Sequence, residues 1–258
     1  MQFAPHGADP ISYCHSTFAR GAMRQRVHGV SRNVGWCTGF VMILGLCLIS
    51  GGAAEPPKLL VVDFSMESEQ EGVPPGWKLS TKEGIADLAV VKDGSGRALR
   101  LRSHSASFAI QKEVDIDVKR TPLVVWEWKV TELPRRGDLR KSSSDDQAAQ
   151  LFVMFSPDFL RTDVIAYVWD STAPAGTVAQ SPSLPLYPVL RIKAVVVRSG
   201  KREQGKWITE TRNVVEDYKN LFGDDPDRVT GIRFQINSQH TKSLAESYWR
   251  LVTFQAHP

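Results

Sequence analysis

The sequence predicts an all-β protein, a jelly-roll-like β-sandwich with one short inserted helix. Some ten segments have strand length and an apolar or alternating pattern, turn signals separate them, and only one stretch repeats its apolar residues at three and four. Many short strands with a single helix point to two packed sheets rather than to a parallel α/β core.

In chain order, Leu59 to Phe64 is apolar and β-branched, and Ala98 to Arg102 alternates. Phe108 to Ile110 and Val114 to Val118 read as two further strands. From Leu123 to Val130, Val124, Trp126, Trp128 and Val130 share one face while Glu127 and Lys129 take the other, which marks the two tryptophans as core. Leu151 to Phe155 and Val164 to Trp169 are apolar on both faces, as central strands covered on both sides would be. Leu190 to Val197, Trp207 to Arg212, Val229 to Ile236 and Tyr248 to Phe254 complete the set. Pro74-Pro75-Gly76, Asp93 to Gly96, Pro134 to Gly137 and Ser199-Gly200 are the turn signals. The helix is predicted at Val214-Val215, Tyr218 and Leu221-Phe222, with Asn213 as its N-cap, Glu216 and Asp217 in the first turn, and Gly223 and Pro226 as its stop. The longest irregular piece, Ser171 to Pro188, is rich in Ser, Pro and Ala.

Ahead of this domain stands an N-terminal leader, residues 1–54. Arg24, Arg26 and Arg32 precede an apolar run that peaks from Phe40 to Ile49, and Gly52-Ala53-Ala54 offers small residues before Glu55-Pro56-Pro57. Cleavage after Ala54 would leave residues 55–258 as one β-sandwich domain, periplasmic or secreted. The alternative is an inner-membrane anchor, since the run from Val34 is long enough to span a bilayer. A lipoprotein signal is disfavoured by Leu46 before Cys47, and Met23 is an alternative start. Removing the leader takes Cys14, Cys37 and Cys47, every cysteine of the chain, and leaves 28 basic against 27 acidic residues. Disulfides and thiol chemistry are thereby excluded from the mature domain, and a nearly neutral chain does not predict a nucleic-acid partner. A membrane partner is expected only through an uncleaved leader.

Three groups could carry function. Asp145-Asp146, at a loop-to-strand junction, could ligate Ca²⁺ or bind sugar hydroxyls; against this, they could pair with Arg135, Arg136, Arg140 or Lys141 or satisfy loop amides. Tyr167 and Trp169 share a strand face and would stack on a flat ligand if that face is open, whereas an inner face would make them core. Asn237 and His240 lie in a polar loop between the last two strands, a polar-ligand site or a solvated turn. Neither a metal nor a cofactor is predicted. G-x-S-x-G, H-E-x-x-H, P-loop and dinucleotide motifs do not occur, and paired-carboxylate hydrolysis, which leaves no fixed spacing, stays open.

Several strings in sequence resemble one family. They are Trp126-Glu127-Trp128-Lys129-Val130, Asp145 to Ala149 leading into Phe152 to Phe155, Tyr167-Val168-Trp169, Asn213 to Tyr218 with Phe222-Gly223, and the Ser238 to Tyr248 region. The order resembles an uncharacterised bacterial secreted family, domain of unknown function 3047, over most of Leu59 to Phe254. That resemblance implies an exported β-sandwich and no established activity. Asp63-Phe64, Pro75-Gly76-Trp77 and Ala98 to Leu101 also look like the jelly rolls of carbohydrate-binding modules, a likeness of architecture. The leading expectation is an exported, non-catalytic binding domain for a glycan or cell-envelope component. Its rivals are a carboxylate-dependent hydrolase of envelope polysaccharide using Asp146, and a structural or protein-interaction domain.

Overall fold

The computed structural model describes residues 57–158, 160–180 and 189–256. The leader with its three cysteines, Met23, the cleavage position and residues 181–188 of the long loop lie outside the described residues.

The strands are β1 (Lys58–Asp63), β2 (Gln70–Glu71), β3 (Lys78–Glu83), β4 (Asp87–Asp93), β5 (Gly96–His104), β6 (Ser107–Asp117) and β7 (Leu123–Glu132). They continue with β8 (Ala149–Asp158), β9 (Arg161–Asp170), β10 (Val178–Gln180), β11 (Val189–Ser199), β12 (Ile208–Asn213), β13 (Arg228–Asn237) and β14 (Leu244–Gln255), with helix α1 (Val214–Phe222) between β12 and β13. One sheet runs β12-β7-β14-β5-β4-β2, with β1 on the distal half of β14; the other runs β10-β11-β9-β8-β13-β6-β3. From β5 to β8 and again from β12 to β14 the chain changes sheet with each strand. This is a jelly-roll-like β-sandwich, as the alternating pattern predicts.

Period-2 alternation sends one face of each sheet inward. Trp126 and Trp128 of β7 meet Tyr167 and Trp169 of β9 across the gap, with ring centroids 5.2 Å apart for Trp126–Tyr167 and 5.7 Å for Trp128–Trp169. Phe234 of β13 packs on Trp249 of β14 at 4.6 Å and on Trp77 at 5.1 Å. Interlocked rings of this size bury much apolar surface, at about 25 cal/mol per Å².

Helix α1 begins where Asn213 Oδ1 accepts the backbone N–H groups of Val215 and Glu216, at 3.1 and 3.3 Å, and ends at Gly223 with φ of 84°. Its Val214 and Tyr218 enter the core, and the Tyr218 ring lies 4.7 Å from Phe155. The sequence reading misses β2, β3, β4 and β10 and divides β6 in two. β3 is a sheet edge whose residues are all exposed, so no apolar alternation betrays it. β6 is polar at Gln111, Lys112 and Glu113, where it still pairs with β13.

Candidate functional site

The two rings expected as stacking platforms lie on the inner face. Tyr167 and Trp169 are fully buried, the Tyr167 hydroxyl donates to Asp217 at 2.7 Å, and the Trp169 indole N–H donates to the Gly200 carbonyl at 3.1 Å. No ligand can stack there, and the open-face reading of these residues is corrected. The cause is the parity of β9: Ile165, Tyr167 and Trp169 face the other sheet, while Val164, Ala166 and Val168 face outward. Burial beside the Asp217 carboxylate also drives the Tyr167 phenol far above its ordinary value.

The other four candidates come together at one end of the second sheet. Asp146 is fully buried, and its carboxylate accepts the backbone N–H groups of His240 and Thr241, at 3.2 and 2.6 Å. It therefore holds the β13–β14 loop and satisfies loop amides, while Arg140 and Lys141 pair with Asp138 instead. Asn237 is equally committed. Its Oδ1 accepts the Gln147 backbone N–H at 2.9 Å and the Gln150 side-chain amide at 2.6 Å, and its Nδ2 donates to the Asp145 carbonyl at 2.8 Å. The Asp145 carboxylate accepts from Gln147 Nε2 at 2.9 Å and is raised above its ordinary value by desolvation, which the Gln147 hydrogen bond and the His240 charge oppose. His240 is exposed at the loop tip. No group of three side chains able to hold a metal occurs among the described residues.

From this end a polar strip continues along the outward face of β13 and its neighbours. Arg233, Gln235 and Asn237 alternate with the core residues Ile232, Phe234 and Ile236, so all three point outward. Arg233 stands opposite Gln111 of β6 on one side and Phe152 of β8 on the other, and Gln235 stands opposite Gln150. Gln111, Arg233 and Gln235 are partly exposed, and none of their side chains has a hydrogen-bond or ion-pair partner among the described residues. The Arg233 guanidinium lies 5.7 Å above the Phe152 ring, its Nε is enclosed without an acceptor, and desolvation lowers its pKa from the ordinary arginine value. Sequence reasoning passed over Gln111, Gln147, Gln150, Phe152, Arg233 and Gln235. The available signal was the polar residues at every second position from Arg233 to Asn237.

Two other places gather charged groups, but those groups are already paired. The outward face of the first sheet is also rich in cations, but Arg100 pairs with Asp87, Arg102 with Glu246, and both Lys129 and Arg250 with Asp93. A cavity of about 310 Å³ lies between α1, β10 and β11, with Val178, Val195, Val197 and Leu221 in its wall and Arg212 with Asp217 as its charged groups. Arg212 is bound through Nε and Nη2 to the Asp217 carboxylate, leaving that charge already neutralised. The strip on the second sheet differs from both in setting the side-chain amides of Gln111 and Gln235 beside Arg233, with no hydrogen-bond or ion-pair partner for these side chains among the described residues.

Fold and strip together define a class: a β-sandwich presenting a row of amides and one arginine on an outward sheet face. The chain belongs to the family described as Protein of unknown function (DUF3047), which matches residues 76–253. No curated protein matches it. Among solved structures it is similar to the family 11 carbohydrate-binding module of the cellulosomal cellulase Lic26A-Cel5E of Clostridium thermocellum, at 11% identity and a TM-score of 0.44, covering 78% of this chain and 96% of that one. A family 11 module from Clostridium thermocellum in complex with a β-1,3-1,4-mixed-linked tetrasaccharide is similar at 12% identity and a TM-score of 0.40, covering 76% and 94%. The family 11 xylanase from Neocallimastix patriciarum is similar at 9% identity and a TM-score of 0.37, covering 78% and 97%.

Proposed function

We propose that this chain is an exported binding module that holds a saccharide chain of the cell envelope along the outward face of its second sheet. One observation supports the reading above the others: Gln111, Arg233 and Gln235 are adjacent, face outward and lack protein partners among the described residues. An amide offers a donor and an acceptor side by side, which suits the hydroxyls of a sugar ring. From Arg233 to Asn237 the strip runs about 13 Å at the rise of a strand, long enough for a short oligosaccharide. The export part of the proposal rests on the leader.

The test is a glycan array followed by calorimetry on the retained ligand, with wild type, Gln111→Leu and Gln235→Leu. Each substitution should weaken binding about three- to tenfold, the share of one or two hydrogen bonds. Unchanged affinity in both variants would take the ligand off this face. Release of reducing ends during the assay would replace binding with hydrolysis. Asp146 could not then be the acid, because its carboxylate is spent on two backbone N–H groups.

A further inference from the structure

We infer that the saccharide held on this face is acidic and that Arg233 receives its anionic group, the carboxylate or phosphate of a sugar. The inference rests on the binding reading above and names the class of its ligand. Five arginines have an enclosed Nε, and Arg233 shares with Arg97, next to the β4–β5 turn, the lack of a carboxylate partner among the described residues; Arg233 alone of the two lies in the middle of a strand. Arg100, Arg161 and Arg250 also have an enclosed Nε, yet each reaches a carboxylate: Asp87 at 2.7 Å, Asp163 at 3.4 Å and Asp93 at 3.4 Å. Arg233 reaches none among the described residues.

Its surroundings explain why the charge stays open. The outward neighbours of Arg233 are Gln111, Phe152, Gly231 and Gln235, all neutral. The nearest acid along β6, Glu113, is paired with Lys78 at 2.7 Å. The Phe152 ring attracts the guanidinium but supplies no acceptor for its N–H groups. A desolvated donor without an acceptor carries a standing cost. An incoming carboxylate or phosphate offsets the cost of the desolvated charge by presenting two oxygens to Nη1 and Nη2, which unlike Nε are not enclosed, a geometry for which arginine is better suited than lysine. Gln111 and Gln235 flank the same point and can donate to the anion or to the next hydroxyl. The far end of the strip has the opposite character, since Asp145 is there. The ligand is therefore oriented, with its acidic group toward Arg233 and a hydroxyl-bearing ring toward Asp145.

The test compares an oligouronate, its carboxyl-reduced neutral counterpart and a phosphorylated oligosaccharide by calorimetry, at low and at physiological salt. Wild type should bind an acidic ligand at least about tenfold more tightly than the neutral one, as a charge-assisted hydrogen bond requires. The preference should shrink with added salt. Arg233→Gln should abolish it, bringing the affinity for the acidic ligand down to that for the neutral one, and Arg233→Lys should retain only part of it. Melting temperatures of both variants establish that they are folded; if Arg233→Gln is not, Arg233→Lys carries the comparison.

Whichever acidic ligand binds better identifies the anion. Equal wild-type affinity for acidic and neutral chains, or an acidic preference that survives Arg233→Gln, would overturn the inference and leave saccharide binding standing. No binding of any of the three by the folded wild-type protein would overturn both.

Discussion

Gly137 shows how closely the candidate site is packed. A Cβ placed on it would stand 2.2 Å from the backbone oxygen of Asp146 and 3.1 Å from Ser171 Oγ. Backbone cannot rotate away as a side chain can, so Gly137→Ala should destabilise by about 1–3 kcal/mol through overpacking. Chemical denaturation measures this, and a cost near zero would mean that the loop ahead of β8 yields freely. The same loop carries Asp146, whose two hydrogen bonds hold the His240 loop in place. At this scale the sequence was half legible. Asp145, Asp146, Asn237 and His240 do converge, because polar loops at one end of a sandwich meet; their roles were not readable, because backbone partners such as the N–H groups of His240 and Thr241 have no signature in a side-chain pattern.

Among the elements, β4 ends in a contact that links three others. The Asp93 carboxylate meets Lys129 of β7 at 2.5 Å, the Trp207 indole N–H at 2.7 Å and Arg250 of β14 at 3.4 Å. Desolvation raises this carboxyl, but the hydrogen bonds from Lys129 and Trp207 and the charges of Lys129 and Arg250 outweigh it and hold the pKa below the ordinary value. A carboxyl depressed on folding contributes stability that is complete above the unfolded aspartate range, about 3.9, and is lost as pH falls through the folded value. Asp93→Asn should therefore cost about 1.5–3 kcal/mol near pH 7, and the gap to wild type should close in acid. Denaturation at pH 7 and near pH 2.5 checks it; an equal gap at both would mean that the charge is not responsible. The strands were legible wherever apolar residues alternate, as in β7 and β14, and illegible at the exposed edge strand β3. On β9 the strand was legible but its parity was not. With apolar residues on both sides, nothing in Val164 to Trp169 says which set meets the other sheet, and Tyr167 and Trp169 turned out to be core for that reason.

At the scale of the molecule, the interleaved chain makes each sheet depend on the other. β7 and β14 in one sheet contribute Trp126, Trp128 and Trp249, whose rings rest on Tyr167, Trp169 and Phe234 from β9 and β13 in the other. Neither sheet keeps an apolar core if its partner leaves, and the described domain has no cysteine to hold separated halves together. Loss of either sheet would expose Trp126, Trp128, Trp169 and Trp249, which together report on both. The two sheets should consequently unfold as one cooperative unit. Tryptophan emission and far-ultraviolet circular dichroism, followed in the same denaturant series, should give coincident midpoints. An early emission change with strand signal retained would show that the rings can be exposed while both sheets persist. The shared aromatic core would then not be what holds the sandwich closed, and the outward strip on β13 would need another source of rigidity to remain a binding surface.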